Sequence, residues 1–592
     1  MRNRTWILVL AVLSALGISA CGGKEPAAEP IQLTANPDEL VFNAGGGVQQ
    51  FAITSGIQPT VSSMADWADV KLERTTGNIY QYAVWVPEYN GTLDRSTNIR
   101  VIGDKQSLMI PVRQSRPEVE LTLDKTAVSF GRSGGEETLT VTSSSQPSVT
   151  SDASWIGIET GKIGQDHRTS VRILAGANRK AEAAGATVTV SCGDKKITVG
   201  VTQEAFSAPS VAATAAVTPQ EVFDAMGPGW NMGNHMDAVS NGVSGETLWG
   251  NPKCTQATMD GVKAAGFKAV RICVTWAGHI GEAPAYRLDQ KWLDRVAEIV
   301  GYAEKAGLVA IVNTHHDESY WLDISKCYNN TVNHEQAKDA VFRVWSQIAE
   351  RFKDKGDWLV LESFNEIQDG GWGWSSAFQA NPGAQYKVLN EWNQTFVDAV
   401  RSTGGSNATR WLGIPGYAAS PGFTIKGLVL PQDYTSANRL IVAVHDYDPY
   451  NYTLSDPLVR QWGHTADPGL RVSNADEAAV VAVFDELKAA YLDKGVPVYL
   501  GEMGCSRHAV ADFPYQKYYM EYFCKAAADR LLPMYLWDNG AKGVGPERHA
   551  YIDHGTGQFV DDDARTLVGL MVKAVTTKDD SYTLQGVYDA AP

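Results

Sequence analysis

The chain has 592 residues, room for roughly three to five domains, and its 44% hydrophobic and 20% charged residues are the composition of a globular protein. A formal net charge of -16 argues against nucleic acid or an anionic membrane surface as the main partner, since both require basic patches; a neutral substrate is left open. The 17 Trp and 23 Tyr are abundant: most fill cores, but exposed rings stack on apolar faces, including the C–H faces of sugars.

In chain order, the first element is a targeting segment at residues 1–20. Arg2 and Arg4 precede an apolar run from Trp6 to Ile18 and then small residues, the pattern of a cleavable signal. The run is shorter than the roughly 20 residues a membrane span requires. Ile18-Ser19-Ala20-Cys21 resembles a bacterial lipobox, which implies lipid on Cys21, and residues 21–30 read as a flexible tether. The other six cysteines follow no disulfide framework, and no CxxC or HExxH motif is present, so neither a metal nor a cofactor is expected.

Two segments then repeat, residues 31–115 and 119–205. Phe42 aligns with Phe130, Pro59 with Pro147 and Trp67 with Trp155, each at an offset of 88, and the segments close alike on "IPVRQ" and "VGVTQ". Short alternating runs between Gly, Ser, Asn and Asp turns predict immunoglobulin-like β-sandwiches, with Trp67 and Trp155 in their cores. The repeats resemble BACON domains, through the "GG" after the first strand, one Trp and the terminal "VxQ". That family implies carbohydrate binding; a spacer role fits as well.

Residues 206–217 read as a linker, and from 218 to 580 apolar runs alternate with amphipathic stretches. The runs are "GWNMGN", "KAVRICV", "LVAIVNTHH", "LVLESFNE", "RWLGIPG", "LIVAVHDY", "PVYLGEMG" and "LPMYLWD". Eight β–α units predict a TIM barrel, an α/β (β/α)8 fold; no GxGxxG loop supports a doubly wound sheet instead.

Chemistry in such a barrel collects at the C-terminal ends of the strands. Those ends carry Asn234, Arg271, His315, His316, Asn365, Glu366, His445, Tyr447, Glu502 and Trp537. Glu366 and Glu502 supply the two carboxylates that glycoside hydrolysis needs, one to protonate the leaving oxygen and one to attack or to activate water. Arg271 keeps a carboxylate ionised, and Asn365 offers an amide to a sugar hydroxyl. Glu362, inside the strand, is expected to be a buried support.

"WLVLESFNEI" and "VYLGEMG" resemble the acid/base and nucleophile motifs of glycoside hydrolase family five, and "ETLWGNP", "VNTHHDESYW" and "WDNG" resemble blocks of its subfamily four, the endo-β-1,4-glucanases and xyloglucanases. The resemblance covers residues 219–580. It implies a retaining double displacement with Glu366 as acid/base and Glu502 as nucleophile. Arg271, His315, Asn365, His445, Tyr447 and Trp537 would complete the shell, joined by His316, Asn234 and Asp237. Three positions depart from the family pattern: His235, with a changed glycone-side contact expected, Met503 and His554. Of Trp276, Trp321, Trp372, Trp374 and Trp462, about half are expected to be sugar platforms.

The expectation is a monomeric hydrolase of plant β-glucan, lipid-anchored at the outer membrane and cell surface of a Gram-negative bacterium. Xyloglucan is the first substrate, with mixed-linkage glucan, cellulose-like glucan, xylan and glucomannan as alternatives. A non-catalytic glycan-binding lipoprotein and a transglycosylase are the competing classes.

Overall fold

The computed structural model describes residues 31–91, 93–103, 105–206, 216–434, 439–472 and 475–592. The signal, the tether, Cys21 and residues 207–215 of the linker lie outside the described residues. No described helix is long and apolar enough to cross a membrane.

The repeated motifs have a backbone explanation. In the first sandwich, strands Thr34–Asn36, Gly47–Thr54, Ile79–Val86 and Asp69–Thr76 form one sheet, and Leu40–Phe42, Gln106–Gln114, Arg95–Gly103 and Thr60–Ser63 the other. The "GG" turn brings Gly46 against the chain, where a Cβ would sit 2.2 Å from the Val86 carbonyl, and φ there is +66°. Gly134 repeats this in the second sandwich, 2.2 Å from the Ala175 carbonyl at φ +72°. Only glycine fits both demands. The closing glutamine is buried: Gln114 Nε2 donates to the carbonyls of Asn43 (3.1 Å) and Pro87 (2.9 Å). Gln203 donates to Gly176 at 2.7 Å. Each glutamine ties the last strand to the first turn. Trp67 and Trp155 are half-buried rather than fully enclosed, and Arg95 lies over the Trp67 ring at 4.2 Å.

The second sandwich is packed on the barrel. Arg179 bonds Glu335 (2.7 Å) and Asp339 (2.9 Å) on a barrel helix, and Arg287 pairs with Glu136 and Glu159. Phe206, assigned by sequence to the linker, meets Phe342 edge-on at 6.2 Å. Pro284 fills the space beside Gly157 and Gly176. This half of the repeat is therefore a buttress and not a free spacer.

Eight parallel strands close the barrel: β1 Gly229–Met232, β2 Ala269–Ile272, β3 Val309–Val312, β4 Leu359–Glu362, β5 Leu412–Pro415, β6 Leu440–His445, β7 Val498–Met503 and β8 Met534–Leu536. Every strand lies in a predicted run, and all eight stop before its end. Alternate residues point inward, and the inner layer of Ala269, Ile311, Val360, Ile441, Tyr499 and Tyr535 is fully buried. The helix Pro219–Met226 contributes Val222 and Met226 to the same cluster. Further along the same inward rows come polar side chains: Asn231, Arg271, Asn313, Glu362 and His445, all buried.

β7 breaks the alternation. Tyr499 faces inward, so Glu502, three residues later, would face out of a regular strand. The register shifts between Leu500 and Met503 against β8, and between Val444 and His445 against β6. The extra residue turns Glu502 to the inside, the ordinary use of a β-bulge.

If the buttress folds with the barrel, the two should melt together. Phe206→Ala is expected to cost roughly 2 kcal/mol and to lower the main thermal transition by several degrees, read by calorimetry. An unchanged main transition with a separate low-temperature one would show that the sandwich melts alone.

Candidate active site

The site is organised on one cation. Arg271 is fully buried at the end of β2. Its Nη2 bonds Glu362 Oε1 at 2.7 Å and Asn365 Oδ1 at 2.7 Å; its Nη1 bonds Glu502 Oε1 at 2.8 Å and Asn231 Oδ1 at 3.1 Å. Glu362 also accepts from Asn313 (3.0 Å) and from the Tyr499 hydroxyl (2.5 Å). Burial would raise Glu362, but the guanidinium and the Tyr499 donor hold it below its ordinary value. Glu362 is thus the buried, hydrogen-bonded counter-ion. Arginine has no acceptor, so the Asn365 atom facing it is the oxygen, and the Asn365 amide nitrogen is left to donate elsewhere.

Four residues past Glu362, on the loop after β4, stands Glu366. It bonds His445 Nδ1 at 2.7 Å. Burial carries its carboxyl up to about 7, with Arg271 opposing and the charges of Glu362 and Glu547 reinforcing. Glu502 is also raised by burial, but His445 and Arg271 oppose the rise, and both its oxygens have donors, Arg271 on Oε1 and the Tyr447 hydroxyl at 3.0 Å on Oε2. A proton entering the pair therefore favours Glu366. Burial lowers His445 to about 4, so it is neutral at neutral pH. One carboxylate oxygen of Glu366 and one of Glu502 lie within 4.8 Å of each other, with a His445 ring nitrogen in the same group.

These groups line an open cavity of about 640 Å³, together with His315, His316 and Trp537. His315 stacks parallel to Trp537 at 5.9 Å, with its Nε2 3.9 Å from Glu502 Oε1. His316 is a third exposed and lies 3.8 Å from Asp237. Burial pushes both histidines down, His316 to about 4. Trp372 and Trp374 form one rim, 52% and 83% exposed. Trp249, 45% exposed, stands beside His316 with ring centres 5.7 Å apart. The cleft thus sets two buried carboxylates of unequal basicity beside exposed aromatic rings. Two groups, Asp237–His315–His316 and Glu366–His445–Glu502, place donor atoms within 4.8 Å of one another, close enough to hold a cation. A cation in the second would compete with Arg271 for Glu502.

Residues 232–543 match the cellulase model of glycosyl hydrolase family 5, over half of the chain, and residues 120–206 match the viral BACON domain. The chain belongs to glycosyl hydrolase family 5. It is a glycoside hydrolase of the endoglucanase kind. It is 35% identical to Endoglucanase A of Paenibacillus barcinonensis over 359 residues, 57% of this chain and 88% of that protein. Among solved structures, it is similar to a GH5-4 broad specificity endoglucanase from Bacteroides salanitronis: 47% identity, TM-score 0.59, covering 62% of this chain and 98% of that one. It is also similar to a Bacteroides ovatus GH5 xyloglucanase in complex with a XXXG heptasaccharide: 28% identity, TM-score 0.55, covering 78% of this chain and 100% of that one.

Within the hydrolase, seven of the catalytic and shell residues expected from sequence line the cleft: His315, His316, Glu366, His445, Tyr447, Glu502 and Trp537. Arg271 and Asn365 lie beneath it. Asn234 and Asp237 lie outside the lining; Asp237 accepts the backbone N–H groups of Asn234 (2.9 Å) and His235 (2.5 Å), and Asn234 adopts φ +54° in that turn. The expected glycone contact of His235 is corrected: the ring is fully buried and bonds the Pro252 carbonyl at 2.6 Å, next to His554. Of the five weighed tryptophans, Trp276 and Trp462 are core residues, Trp321 packs half-buried, and only Trp372 and Trp374 reach the cleft. Sequence reading missed Asn231, Asn313 and Tyr499, which hold Arg271 or Glu362. The inward alternation was their only signal. It also missed Glu547, which no motif marks. The six described cysteines are free thiols, all buried.

Replacing Glu362 with Gln should therefore act on charge and not on contacts with sugar. Removing the anion lowers the pKa of Glu366, which its charge raises, so the alkaline limb of the pH–rate profile moves to lower pH. Stability falls by roughly 3 kcal/mol at neutral pH. Because Glu362 sits below its ordinary value in the fold, its stabilisation is full at neutral pH and is lost as pH drops through its folded pKa. The decline of melting temperature on acidification should be shallower in the variant. An unmoved pH profile would contradict this role.

Proposed function

We propose that the enzyme is a retaining endo-β-1,4-glucanase of plant β-glucans with xyloglucan as its first substrate. The reading is supported by one observation, a carboxylate oxygen of Glu366 within 4.8 Å of a carboxylate oxygen of Glu502. Retaining pairs stand about 5–5.5 Å apart, whereas inverting pairs stand roughly 6.5–9.5 Å apart to admit water.

In the first step Glu502 Oε attacks the anomeric carbon while the glycosidic oxygen takes the proton of Glu366 and leaves. Arg271 and Tyr447 hold the attacking carboxylate as an anion. In the second step Glu366, now ionised, removes a proton from water, and the resulting hydroxide displaces Glu502 from the sugar. His445 orients Glu366, and the Asn365 amide donates to the 2-hydroxyl, a bond that strengthens in the transition state. Trp537 stacks under the sugar whose bond breaks. An open cleft, with the exposed rings of Trp372 and Trp374 in its lining and Trp249 beside His316, suits attack within a chain. The likeness to the xyloglucanase, which covers more of the chain than the barrel alone, supports branched glucan as the substrate. We further propose lipid attachment at Cys21 and display at the outer surface of a Gram-negative cell, for which the lipobox-like "ISAC" is the support.

Glu366→Ala and Glu502→Ala should each lower kcat by roughly 10²–10⁴-fold on a natural glucan. Initial rates on xyloglucan, barley β-glucan, carboxymethyl cellulose, xylan and glucomannan should be highest for xyloglucan. Inactivity on xyloglucan alone would move the substrate assignment within the family; near-normal rates in either alanine variant would overturn the mechanism. Activity should also fall above pH of about 7, where Glu366 loses its proton, and Glu366→Gln should abolish that limb.

A further inference from the structure

Glu547 is a cleft-lining carboxylate without a role in the double displacement; it is open to solvent, and its side chain has no hydrogen bond or ion pair among the described residues. It belongs to the loop after β8 and lines the same cavity as Glu366, Tyr447 and Glu502. Its backbone is in the left-handed region, φ +56°, which a residue with a side chain adopts only under constraint.

The constraint is visible. Its N–H donates to Ser506 Oγ at 3.1 Å, and its carbonyl accepts from Asn539 Nδ2 at 3.0 Å. Ser506 Oγ in turn lies 3.1 Å from His549 Nε2, and Asn539 Oδ1 accepts the N–H of Ala541 at 3.0 Å. The N–H of Gly545 reaches the Arg507 carbonyl at 2.8 Å, and that of Arg507 reaches the Arg548 carbonyl at 2.9 Å. The loop is thus zipped to the segment that follows β7, the strand carrying Glu502. On the same loop, Lys542 bonds Asp553 at 3.2 Å. A strained backbone held by two side chains presents a carboxylate that no protein group uses. Its negative charge reaches Glu366 and Tyr447 and raises both.

We propose that Glu547 is a specificity-determining residue of the cleft. Its carboxylate accepts hydrogen bonds from hydroxyls of the neutral sugar bound next to the scissile linkage, and its charge disfavours sugars bearing carboxylate substituents. It also acts as a positioning residue through Glu366. The groups facing Glu366 are Arg271 from β2, Glu318 from the loop after β3, Glu362 from β4, His445 and Tyr447 at the end of β6, Glu502 from β7 and Glu547 from the loop after β8. Of these, Glu547 is the one at the solvent edge whose removal leaves the buried network intact. The inference rests on the glucanase reading above.

The test compares Glu547→Gln, Glu547→Ala and Glu547→Asp with the parent enzyme on a neutral xyloglucan oligosaccharide and on carboxymethyl cellulose, across pH. Glu547→Ala should raise KM on the neutral substrate by roughly tenfold, the loss of a hydrogen bond to a charged acceptor, with a smaller change in kcat. Glu547→Gln should raise the ratio of kcat/KM on carboxymethyl cellulose to that on the neutral substrate by about threefold or more. It should also move the alkaline limb of the pH profile downward by about half a unit, because a neighbouring anion no longer favours the protonated acid. Glu547→Asp should restore the ratio and the limb in part. Unchanged ratio and limb in Glu547→Gln would overturn the proposal. So would equal losses in all three variants that track a fall in melting temperature, the mark of a purely structural residue. If the parent enzyme cleaves no β-glucan at all, the function reading fails instead, and the two failures are told apart by that control.

Discussion

The buried guanidinium of Arg271 is the constraint on which the site depends. A fixed positive charge in the barrel must be matched by carboxylates, because an unpaired buried charge costs several kcal/mol. Glu362 meets that demand permanently. Glu502 meets it in part, which leaves one of its oxygens to Tyr447 and to chemistry. The same cation takes the Asn365 oxygen and so fixes which way that amide faces. One residue on β2 thereby sets the ionisation of one cleft carboxylate and the orientation of an amide donor, while the geometry of β7 is arranged to reach it.

The division of labour between the two carboxylates follows from what surrounds them. Both are buried, and burial favours the protonated form of each. Glu502 has two donors and Glu366 has one neutral histidine, so the proton settles on Glu366. Without the bulge in β7, Glu502 would face the helices and the guanidinium would lose its second anion. The register shift and the charge network are therefore one device.

Much of this was legible in the sequence. The eight apolar runs located every barrel strand, since strands covered by helices on the outside and side chains on the inside read as continuous hydrophobic stretches. The acid-amide ends of those runs located Glu366 and Glu502, and the position of Glu362 inside its run separated it from Glu366. What was not legible depends on the third dimension. Tyr499, Asn231 and Asn313 belong to the network only because alternation turns them inward, and the bulge that turns Glu502 inward leaves no residue signature. Trp276 and Trp462 look like loop aromatics in sequence, yet both are enclosed. Phe206 looks like the start of a linker until Phe342 is placed beside it.

The proposed mechanism has Glu502 attack carbon while Glu366 handles the proton. It is tested most directly by the configuration of the first product. Proton NMR of the earliest hydrolysis of a soluble β-glucan oligosaccharide should show the β-anomer forming first, followed by slow mutarotation. Initial appearance of the α-anomer would mean that water attacks in one step, and would contradict the assignment of both carboxylates.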